Sequence, residues 1–448
     1  MQADISSEYK IIDLVKSRIQ TKEWIPGEDT VQYAGPYFDE EEYVAGIESL
    51  LGGWLALGES GIRFERQLKG WFGKSYGSLT NSGSSANLLM VSALKSNKLH
   101  GFKEGTKVIT PVAGFPTTVN PILQNGFHPV FVDVEIDTLN INLDQLEDAA
   151  KSGAKALIFA HVLGNPPNMD RVMEIVRDYD LVLLEDTCDA LGSQYDGKYL
   201  GSFGSFASCS FYPAHHITMG EGGFVACSTK EEDTVIKSLR DWGRGCYCQG
   251  KAASCLKNGT CKKRFSPWIK SMPDTIFDHK YVYDEIGYNL KPIELQAAIG
   301  LAQIKKLDDI ISIRKKNYKT YLDTFLKYEE YLHIPRATEK SDPSWFAFPI
   351  TVRDNAPFDR KDFTMFLEDN KIQTRNYFAG NILLQPAYSG LMTGVDAKKK
   401  YPVATKVMKD TFFIGTSPVI TDDQTSYICK FVDKFFNEKK DGIKINEL

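Results

Sequence analysis

The chain has 448 residues and a formal net charge of −5; 42% of the residues are hydrophobic, 12% aromatic and 25% charged, as in a globular protein. It contains no long basic run and no apolar stretch of about 20 residues, which argues against nucleic acid, an anionic membrane surface and a membrane-spanning helix as its context. Its N-terminal sequence reads as an amphipathic helix without the apolar core of a signal peptide, so we expect a cytoplasmic protein.

Strand-like and helix-like segments alternate from about residue 75 to residue 230. Short apolar runs such as KVITPVA and LVLLEDT are separated by stretches of helical periodicity. This pattern predicts an α/β fold with a largely parallel sheet that is covered by helices on both faces. Because ligands bind beyond the carboxyl ends of such strands, the first positions to consider are Phe115, His161, Asp186 and residues 210–223.

The length of the chain predicts more than one domain. We predict an N-terminal helical segment at 1–55 that packs on the small domain, a large domain at 56–310 and a small α+β C-terminal domain at 311–448. A Cys-rich loop at 245–265 interrupts the regular pattern. A loop of this length is typical of a segment that has a function or is ordered by a ligand.

Two segments within the alternating region suggest an anion site and a buried charge. The segment NSGSSANL leads from small polar residues into an apolar helix, whose free amides could bind a phosphate together with the hydroxyls of Ser84 and Ser85. Simple N-capping by Ser82 or Ser84 explains the same residues. Asp186 ends an apolar strand, where a carboxylate needs a partner such as a structural donor or a protonated pyridine nitrogen.

Cysteines and histidines form two further clusters along the chain. Four of the eight cysteines lie within sixteen residues, a spacing that favours metal or redox chemistry over disulfides in a reducing compartment. Two adjacent histidines stand in SFYPAHHITMGEGG, residues 210–223. This second segment is compatible with core packing, a metal site or a catalytic loop.

The ordered segments NSGSSANL, TPVAGFPTT, EDTCDALGS, SFYPAHHITMGEGG and GYNLKPIELQAAIG resemble those of the DegT/DnrJ/EryC1/StrS family of sugar aminotransferases, over roughly residues 30–430. The resemblance implies the pyridoxal-phosphate fold type I, like that of aspartate aminotransferase, and a homodimer with sites at the interface. It also implies cofactor contacts. These are Ser84, Ser85 and Ser210 at the phosphate, Asp186 at the pyridine nitrogen, Phe115 on the ring, and Asn289 at the phosphate of the neighbouring subunit.

The family's lysine, which binds the cofactor covalently, is replaced here by His215. Imidazole has no primary amine for that bond, so we expect pyridoxamine 5′-phosphate as the resting cofactor. Because imidazole moves protons near neutral pH, His215 is the expected catalytic base of a dehydration instead of a transamination. In the alternative interpretation the protein is inactive and His215 only fills space. His216 is expected to contact the substrate or to orient His215.

Family members with this histidine remove the 3-hydroxyl of a nucleotide-linked 4-keto-6-deoxyhexose, and one branch, which acts on CDP-4-keto-6-deoxyglucose, carries a [2Fe–2S] cluster. Such a cluster needs four ligands, usually thiolates. The resemblance to that branch implies Cys188, Cys246, Cys248 and Cys261 as ligands, with Cys255 as the alternative fourth. A structural zinc ion on the same thiolates is the competing interpretation.

The cluster-containing branch works with an NAD(P)H-dependent flavin/iron–sulfur reductase and supplies 3,6-dideoxyhexoses for lipopolysaccharide O-antigens. The alternatives are a cluster-free dehydratase that takes its amine from glutamate, and a non-catalytic regulatory relative that binds the cofactor or zinc. Cationic side chains suit the nucleotide diphosphate, and the candidates are Arg244, Arg264, Lys291 and Arg375. Asn376 and Tyr377 replace residues that are usually apolar in the family, so the identity of the sugar stays open.

Overall fold

A computed structural model describes residues 5–19, 23–246 and 264–446. Its α-helices are α1 (Ile5–Lys16), α2 (Glu40–Leu51), α3 (Glu59–Leu68), α4 (Gly83–Ala93), α5 (Pro116–Gln124), α6 (Leu143–Lys151), α7 (Met169–Asp178), α8 (Lys230–Arg240), α9 (Glu294–Gln303), α10 (Leu307–Phe325), α11 (Arg360–Asp369), α12 (Gly394–Lys400), α13 (Pro402–Asp410) and α14 (Asp422–Asn446). Its strands are β1 (Tyr76–Thr80), β2 (Lys107–Pro111), β3 (His128–Val132), β4 (Ala156–Ala160), β5 (Val182–Asp186), β6 (Gln194–Tyr195), β7 (Lys198–Tyr199), β8 (Phe206–Ser210), β9 (Gly223–Cys227), β10 (Phe265–Ser266), β11 (Phe277–Asp278), β12 (Leu332–His333), β13 (Ser341–Asp342), β14 (Ala347–Val352), β15 (Arg375–Asn376) and β16 (Thr411–Gly415).

A seven-stranded sheet of order β1-β9-β8-β5-β4-β2-β3 forms the centre of the described large domain. Strands β2, β3, β4, β5 and β8 pair in parallel, which confirms the prediction of a largely parallel sheet. Strand β9 instead runs antiparallel to both β1 and β8. A parallel return needs a crossover, usually a helix, whereas residues 211–222 between β8 and β9 form neither helix nor strand.

Helices cover both faces of this sheet and leave its carboxyl edge to other elements. Helices α4 and α8 pack on one face, where Leu89 and Ile236 contact a cluster that includes Leu184. Helices α6 and α7 pack on the other face, where Val172 belongs to a cluster with Phe159. None of the helices in the described ranges has the length and apolarity that a membrane crossing requires.

The small domain contains a second sheet, of order β12-β14-β16-β15, with antiparallel pairing. Helices α10, α11 and α14 cover it through an aromatic cluster that includes Phe325, Phe363 and Phe435. Our predicted boundary between residues 310 and 311 lies inside α10, which continues to Phe325. The two domains are therefore joined by a continuous helix.

The N-terminal segment packs differently from our prediction. Helix α2 lies on α9 of the large domain, where the Glu42 carboxylate accepts hydrogen bonds from Gln303 and Lys306, each at 2.7 Å. The stretch before α2 does join the small domain, since Val31 N–H donates to Lys371 O at 2.7 Å. The prediction that the segment packs on the small domain is thus wrong for α2, because Glu41 and Glu42 pair with Lys305 and Lys306, which lie just beyond α9.

His161, which follows β4, contacts a carboxylate inside the protein. Its Nε2 lies 3.0 Å from Glu185 Oε2, and both side chains are fully buried. The Glu185 carboxylate also accepts hydrogen bonds from the amides of Gly201, Phe203 and Gly204. Burial by itself raises the pKa of a carboxyl, but His161 and the backbone amides together hold the pKa of Glu185 below its ordinary value.

The Glu185→Gln variant is expected to unfold with about 3 kcal/mol less free energy, because it removes one partner of a buried pair. A carboxyl with a depressed pKa stabilises the folded state above its unfolded pKa of about 4.3, and this contribution is lost as the pH falls through the folded pKa. Urea unfolding at about pH 7 and about pH 4 should therefore show a smaller difference between variant and wild type at the acidic pH. The exposed Glu339→Gln serves as control. Equal differences at both pH values would contradict this account of Glu185.

Candidate active site

A cavity of about 310 Å³ opens at the carboxyl edge of the large sheet, where the two domains meet. The small domain contributes Phe346, Tyr377 and Phe378 to its wall, and the N-terminal stretch contributes Tyr33. The residues that the sequence predicted and that do line it are Ser84, Phe115, Asp186, Cys188, Ser210 and His215.

The start of α4 forms one end of this cavity. Ser82 is the N-cap, since its Oγ accepts a hydrogen bond from Ser85 N–H at 3.1 Å. Ser84 lies on the cavity wall with Ser210, as a phosphate site requires. Ser85 is not on the wall, because its hydroxyl donates to Asn81 Oδ1 at 2.6 Å. Ser84 and Ser210 therefore have hydroxyls on the wall, whereas the hydroxyl of Ser85, the third predicted phosphate ligand, is bonded to Asn81.

Asp186 stands at the end of β5 and is almost completely buried on the cavity wall. Its Oδ2 accepts hydrogen bonds from Asn87 Nδ2 and Thr118 Oγ1, both at 2.8 Å. Its Oδ1 accepts weaker ones from Cys188 N–H at 3.2 Å and Ser208 Oγ at 3.3 Å. These donors stabilise a carboxylate that presents its charge to the cavity.

Phe115 offers an aromatic surface on the same cavity. Its side chain is 49% exposed although it belongs to the wall, so its ring has room for a partner. The ring of Phe378 packs edge-on against it, with the ring centroids 5.7 Å apart. A flat heteroaromatic group in the cavity could contact Phe115 by stacking.

His215 reaches the cavity from the loop between β8 and β9. Its ring lies 5.3 Å from that of Phe346, and its buried Nδ1 lies 3.5 Å from Asp189 Oδ1. Burial and then the Arg314 cation lower the pKa of His215, which favours the neutral imidazole that a base requires. Burial and then the charge of Asp186 raise the pKa of Asp189.

His216 points to a different environment from His215. Its Nε2 lies 2.7 Å from Ser344 Oγ, which in turn lies 2.8 Å from Ser193 Oγ. The side chain is buried and is not part of the cavity wall. Our expectation that His216 contacts the substrate does not agree with this position, because its ring is held among buried hydroxyls.

Cys188 is the cysteine that lines the cavity, and its Sγ lies 4.0 Å from Ser208 Oγ. Cys246 is the last described residue before 247–263, and it forms no disulfide with another described cysteine. The other predicted ligands, Cys248, Cys255 and Cys261, lie outside the described residues. Within the ranges that are described, no three His, Cys, Asp or Glu side chains come together as a metal site.

The predicted substrate cations lie in separate places. Arg375 is exposed beside the cavity, with its guanidinium carbon 4.4 Å from the ring centroid of Tyr33, which lines the wall. Arg264 pairs with Asp278 at 2.6 Å, as expected of a structural surface charge.

Arg244 and Lys291 lie together on another surface. The Nζ of Lys291 is 3.5 Å, and the Cζ of Arg244 4.5 Å, from the ring centroid of Trp242. Lys291 also donates to Asn289 Oδ1 at 2.7 Å. None of the four predicted substrate cations is among the residues that line the cavity of the same chain. Arg375 lies beside this cavity, whereas Arg244 and Lys291 are placed to serve the cavity of a second subunit.

Several wall residues were not predicted from the sequence. Asp189 and Tyr212 stand inside the quoted segments EDTCDALGS and SFYPAHHITMGEGG, so inspecting every polar residue of those segments would have found them. Tyr33 gave no signal, because its segment has neither a motif nor a regular element. Its position depends on contacts with residues that lie more than 300 positions later.

The donor set of the cavity fits pyridoxal or pyridoxamine 5′-phosphate. The free amides and hydroxyls at α4 suit a phosphate, and the Asp186 carboxylate suits a protonated ring nitrogen. A large, mostly parallel sheet with this cavity at its carboxyl edge and a small α+β domain over it defines the class of protein, namely the pyridoxal-phosphate enzymes of fold type I. The fold predicted from the sequence is thus confirmed.

Comparison with known proteins identifies the family. The DegT/DnrJ/EryC1/StrS aminotransferase family matches residues 36–433, and the chain belongs to this family. The lipopolysaccharide biosynthesis protein RfbH of Salmonella typhimurium is 43% identical over 93% of this chain and 94% of its own. The dTDP-4-dehydro-2,6-dideoxy-D-glucose 3-dehydratase of Saccharopolyspora spinosa is 41% identical over 92% of this chain and 88% of its own.

A solved structure extends this comparison to the fold. The Escherichia coli GDP-4-keto-6-deoxy-D-mannose-3-dehydratase with bound hydrated PLP has a TM-score of 0.76 and 29% identity, and the match covers 90% of this chain and 100% of that one. Most of this chain therefore shares the fold of that dehydratase.

The Gly83→Ala variant tests the phosphate end of the cavity. A Cβ at residue 83 would lie 2.4 Å from Ser210 Cβ, so Ser210 must move. Overpacking costs about 1–3 kcal/mol. If binding of the phosphate must restore Ser210 to its place against this cost, the affinity for pyridoxamine 5′-phosphate falls by about fivefold to 150-fold. A fluorescence titration measures this, with Gly70→Ala as control because a Cβ there meets nothing within 4 Å. Unchanged affinity in the Gly83 variant would remove Ser210 from the phosphate site.

Proposed function

We propose that this protein is a pyridoxamine-phosphate-dependent enzyme that removes the C3 hydroxyl of a nucleotide-linked 4-keto-6-deoxyhexose. One observation carries the proposal: no lysine is among the described residues that line the cavity, and His215 is the basic side chain there. The 3-dehydratases among the similar proteins support the substrate class and the reaction.

The side chains of the cavity have distinct parts in this reaction. When bound, pyridoxamine phosphate supplies an amine for the 4-keto group and a ring that withdraws electrons. Ser84 and Ser210 hold its phosphate, Asp186 keeps its ring nitrogen protonated, and Phe115 packs on its ring. The neutral imidazole of His215 is the group that would accept the proton from C4′ of the cofactor, the carbon that bears the amine. Asp189 faces the Nδ1 of this imidazole.

We further propose that the C3 carbon is reduced through a [2Fe–2S] cluster. Replacement of the hydroxyl by hydrogen needs two electrons and two protons and releases water. An NAD(P)H-dependent flavin/iron–sulfur reductase would supply the electrons, and the cluster would pass them singly. The position of Cys188 on the cavity wall supports this, because a cluster bound there would lie beside the reacting sugar. Its partners would be Cys246, Cys248 and Cys261, or Cys255 in place of Cys261.

CDP is the nucleotide we propose, from the resemblance to the cluster-containing branch. We also propose a homodimer, in which Asn289 contacts the phosphate in the neighbouring subunit, and Arg244 and Lys291 face the diphosphate of its substrate. Their shared surface around Trp242, away from the cavity of their own chain, supports this arrangement.

The second candidate is a cluster-free dehydratase in which glutamate supplies both the amine and the two electrons. Glutamate leaves as 2-oxoglutarate, and hydrolysis releases its nitrogen as ammonia when the deoxy-ketosugar is formed. The shared fold with the Escherichia coli GDP-4-keto-6-deoxy-D-mannose-3-dehydratase favours it. In this case the cysteines would have structural roles, with or without zinc.

The deciding experiment is an anaerobic absorbance and EPR spectrum of the purified protein before and after dithionite, with iron, sulfide and zinc assays. Bands that bleach on reduction and an S = ½ signal are expected, and the Cys188→Ser variant should lose both. Colourless protein without labile sulfide after anaerobic reconstitution, but with turnover driven by glutamate alone, would establish the second candidate instead.

A further inference from the structure

Arg314, on α10, is a fully buried cation outside the cavity wall. Its neighbours one turn away on the same helix face, Ile310 and Tyr318, belong to hydrophobic clusters, so an apolar residue would be expected at its position. Burying a guanidinium costs stability unless its donors are well satisfied. Packing alone therefore does not explain an arginine at this position.

The hydrogen bonds of Arg314 in the described structure end on backbone carbonyls. Its Nη1 donates to Phe346 O at 3.0 Å, and its Nη2 donates to Ala214 O at 3.2 Å and to His215 O at 3.0 Å. The planar fork of a guanidinium can reach carbonyls on separate segments at fixed angles, which an ammonium cannot do. Arg314 thus ties α10 to the loop of His215 and to the start of β14.

Two of these bonds act on the backbone conformation of His215. The Ala214 carbonyl belongs to the peptide before the His215 Cα, and the His215 carbonyl belongs to the peptide after it. Because each peptide is planar, fixing both sets the two dihedral angles at His215 and the direction of its Cβ. The surrounding residues 211–222 have no helix or strand to do this.

The third bond holds the surface against which the imidazole packs. The Phe346 carbonyl accepts from Nη1, and the ring of the same residue lies 5.3 Å from the ring of His215. A single guanidinium therefore fixes both the backbone of His215 and its aromatic neighbour.

We propose that Arg314 is a positioning residue for His215, which it aims into the cavity by holding the carbonyls on both sides of its Cα. The inference rests on the proposed function, in which His215 is the base. Displacement of a reacting group by about 1 Å can cost about a hundredfold in rate, so the effect of losing this support is measurable.

The test uses Arg314→Lys, which keeps the charge and loses the fork, and Arg314→Gln, which keeps two donors without the charge. Both are expected to lower kcat by about tenfold to a hundredfold in the cofactor-loaded enzyme. The KM for the sugar and the dissociation constant of pyridoxamine 5′-phosphate should stay within about twofold, because Arg314 contacts neither. The cofactor titration is a readout that does not depend on turnover.

Asn317 provides the matched control on the same helix. Its Nδ2 donates to the carbonyls of Thr416, Ser417 and Ile420, so it also joins a buried side chain to three carbonyls, all in the small domain. Asn317→Ala is expected to lower the thermal midpoint while leaving kcat within about twofold of wild type.

A double variant distinguishes two roles of Arg314, namely positioning of the His215 side chain and general stabilisation of the loop. In His215→Ala enzyme supplied with free imidazole, adding Arg314→Lys should change the rescued rate by less than about twofold, since free imidazole is not attached to the backbone that Arg314 holds. If His215→Ala alone keeps full activity, the proposed function fails.

Three results would overturn the inference while leaving the proposed function intact. The first is full kcat in both Arg314 variants alongside an inactive His215→Ala. The second is a cofactor dissociation constant that rises as much as kcat falls. The third is that neither Arg314 variant folds while Asn317→Ala does, which would make Arg314 a structural brace.

Discussion

The His215→Asn variant is expected to lose C3 dehydration by about two to four orders of magnitude, the usual contribution of a positioned acid or base. Asparagine has a similar reach but does not accept a proton near neutral pH. The dissociation constant of pyridoxamine 5′-phosphate should change little, because the phosphate and ring contacts lie on α4, β5, β8 and the start of α5. A single-turnover assay with cofactor-loaded enzyme measures the chemical step, and fluorescence titration measures the binding.

His216→Asn is the matched control for this experiment. It replaces the same residue type one position later, where the ring meets Ser344 and not the cavity. We expect lower stability with most of the activity retained. Equal loss of activity in both variants would indicate that the loop as a whole, and not the imidazole of His215, is required.

The Asp186→Asn variant is expected to reduce the rate by about two to four orders of magnitude and to weaken cofactor binding. Loss of one partner of a buried charge pair costs about 3–5 kcal/mol, and each 1.36 kcal/mol is about tenfold in rate. The new amide group would also meet the donors of Asn87 and Thr118, which now point at Oδ2. Rate and cofactor affinity are measured with the same two assays.

Asp133→Asn controls for loss of a buried carboxylate elsewhere. Asp133 is 2% exposed and accepts hydrogen bonds from the amides of Val403 and Ala404, away from the cavity wall. The Asp133→Asn variant should have a lower free energy of unfolding and an unchanged cofactor affinity. If Asp186→Asn binds the cofactor as tightly as wild type, the carboxylate does not serve the ring nitrogen.

The parts of the site that could be predicted from the sequence are those carried by local motifs at strand ends. Asp186 and Ser210 end β5 and β8, and the parallel sheet places such ends at one edge. Which of two neighbouring residues in a motif faces the cavity could not be predicted as well. Ser85 and His216 each stand next to a wall residue, and only the local turn decides which neighbour faces the cavity.

Residues that act through distant contacts could not be predicted. Arg314 has the charge of a surface residue, and its burial depends on carbonyls supplied by Ala214 and Phe346, which are brought to it by tertiary packing. The direction of β9 could not be predicted for a related reason: its apolar composition fits either direction, and the short connection from β8 decides. The Cys-rich loop remains a prediction from spacing, because its cysteines after Cys246 lie outside the described residues.

The wall position of Tyr33 has a consequence for biosynthesis on the ribosome. The amide of Tyr33 donates to Gln373 Oε1 at 3.2 Å, and the Tyr33 carbonyl oxygen lies so close to Gly415 that a Cβ there would clash with it. Tyr33 is therefore held in place by residues that are translated hundreds of codons later. This wall of the cavity can therefore be completed only after β16, which contains Gly415, has been synthesised. A cofactor that needs the complete cavity cannot be bound before that point.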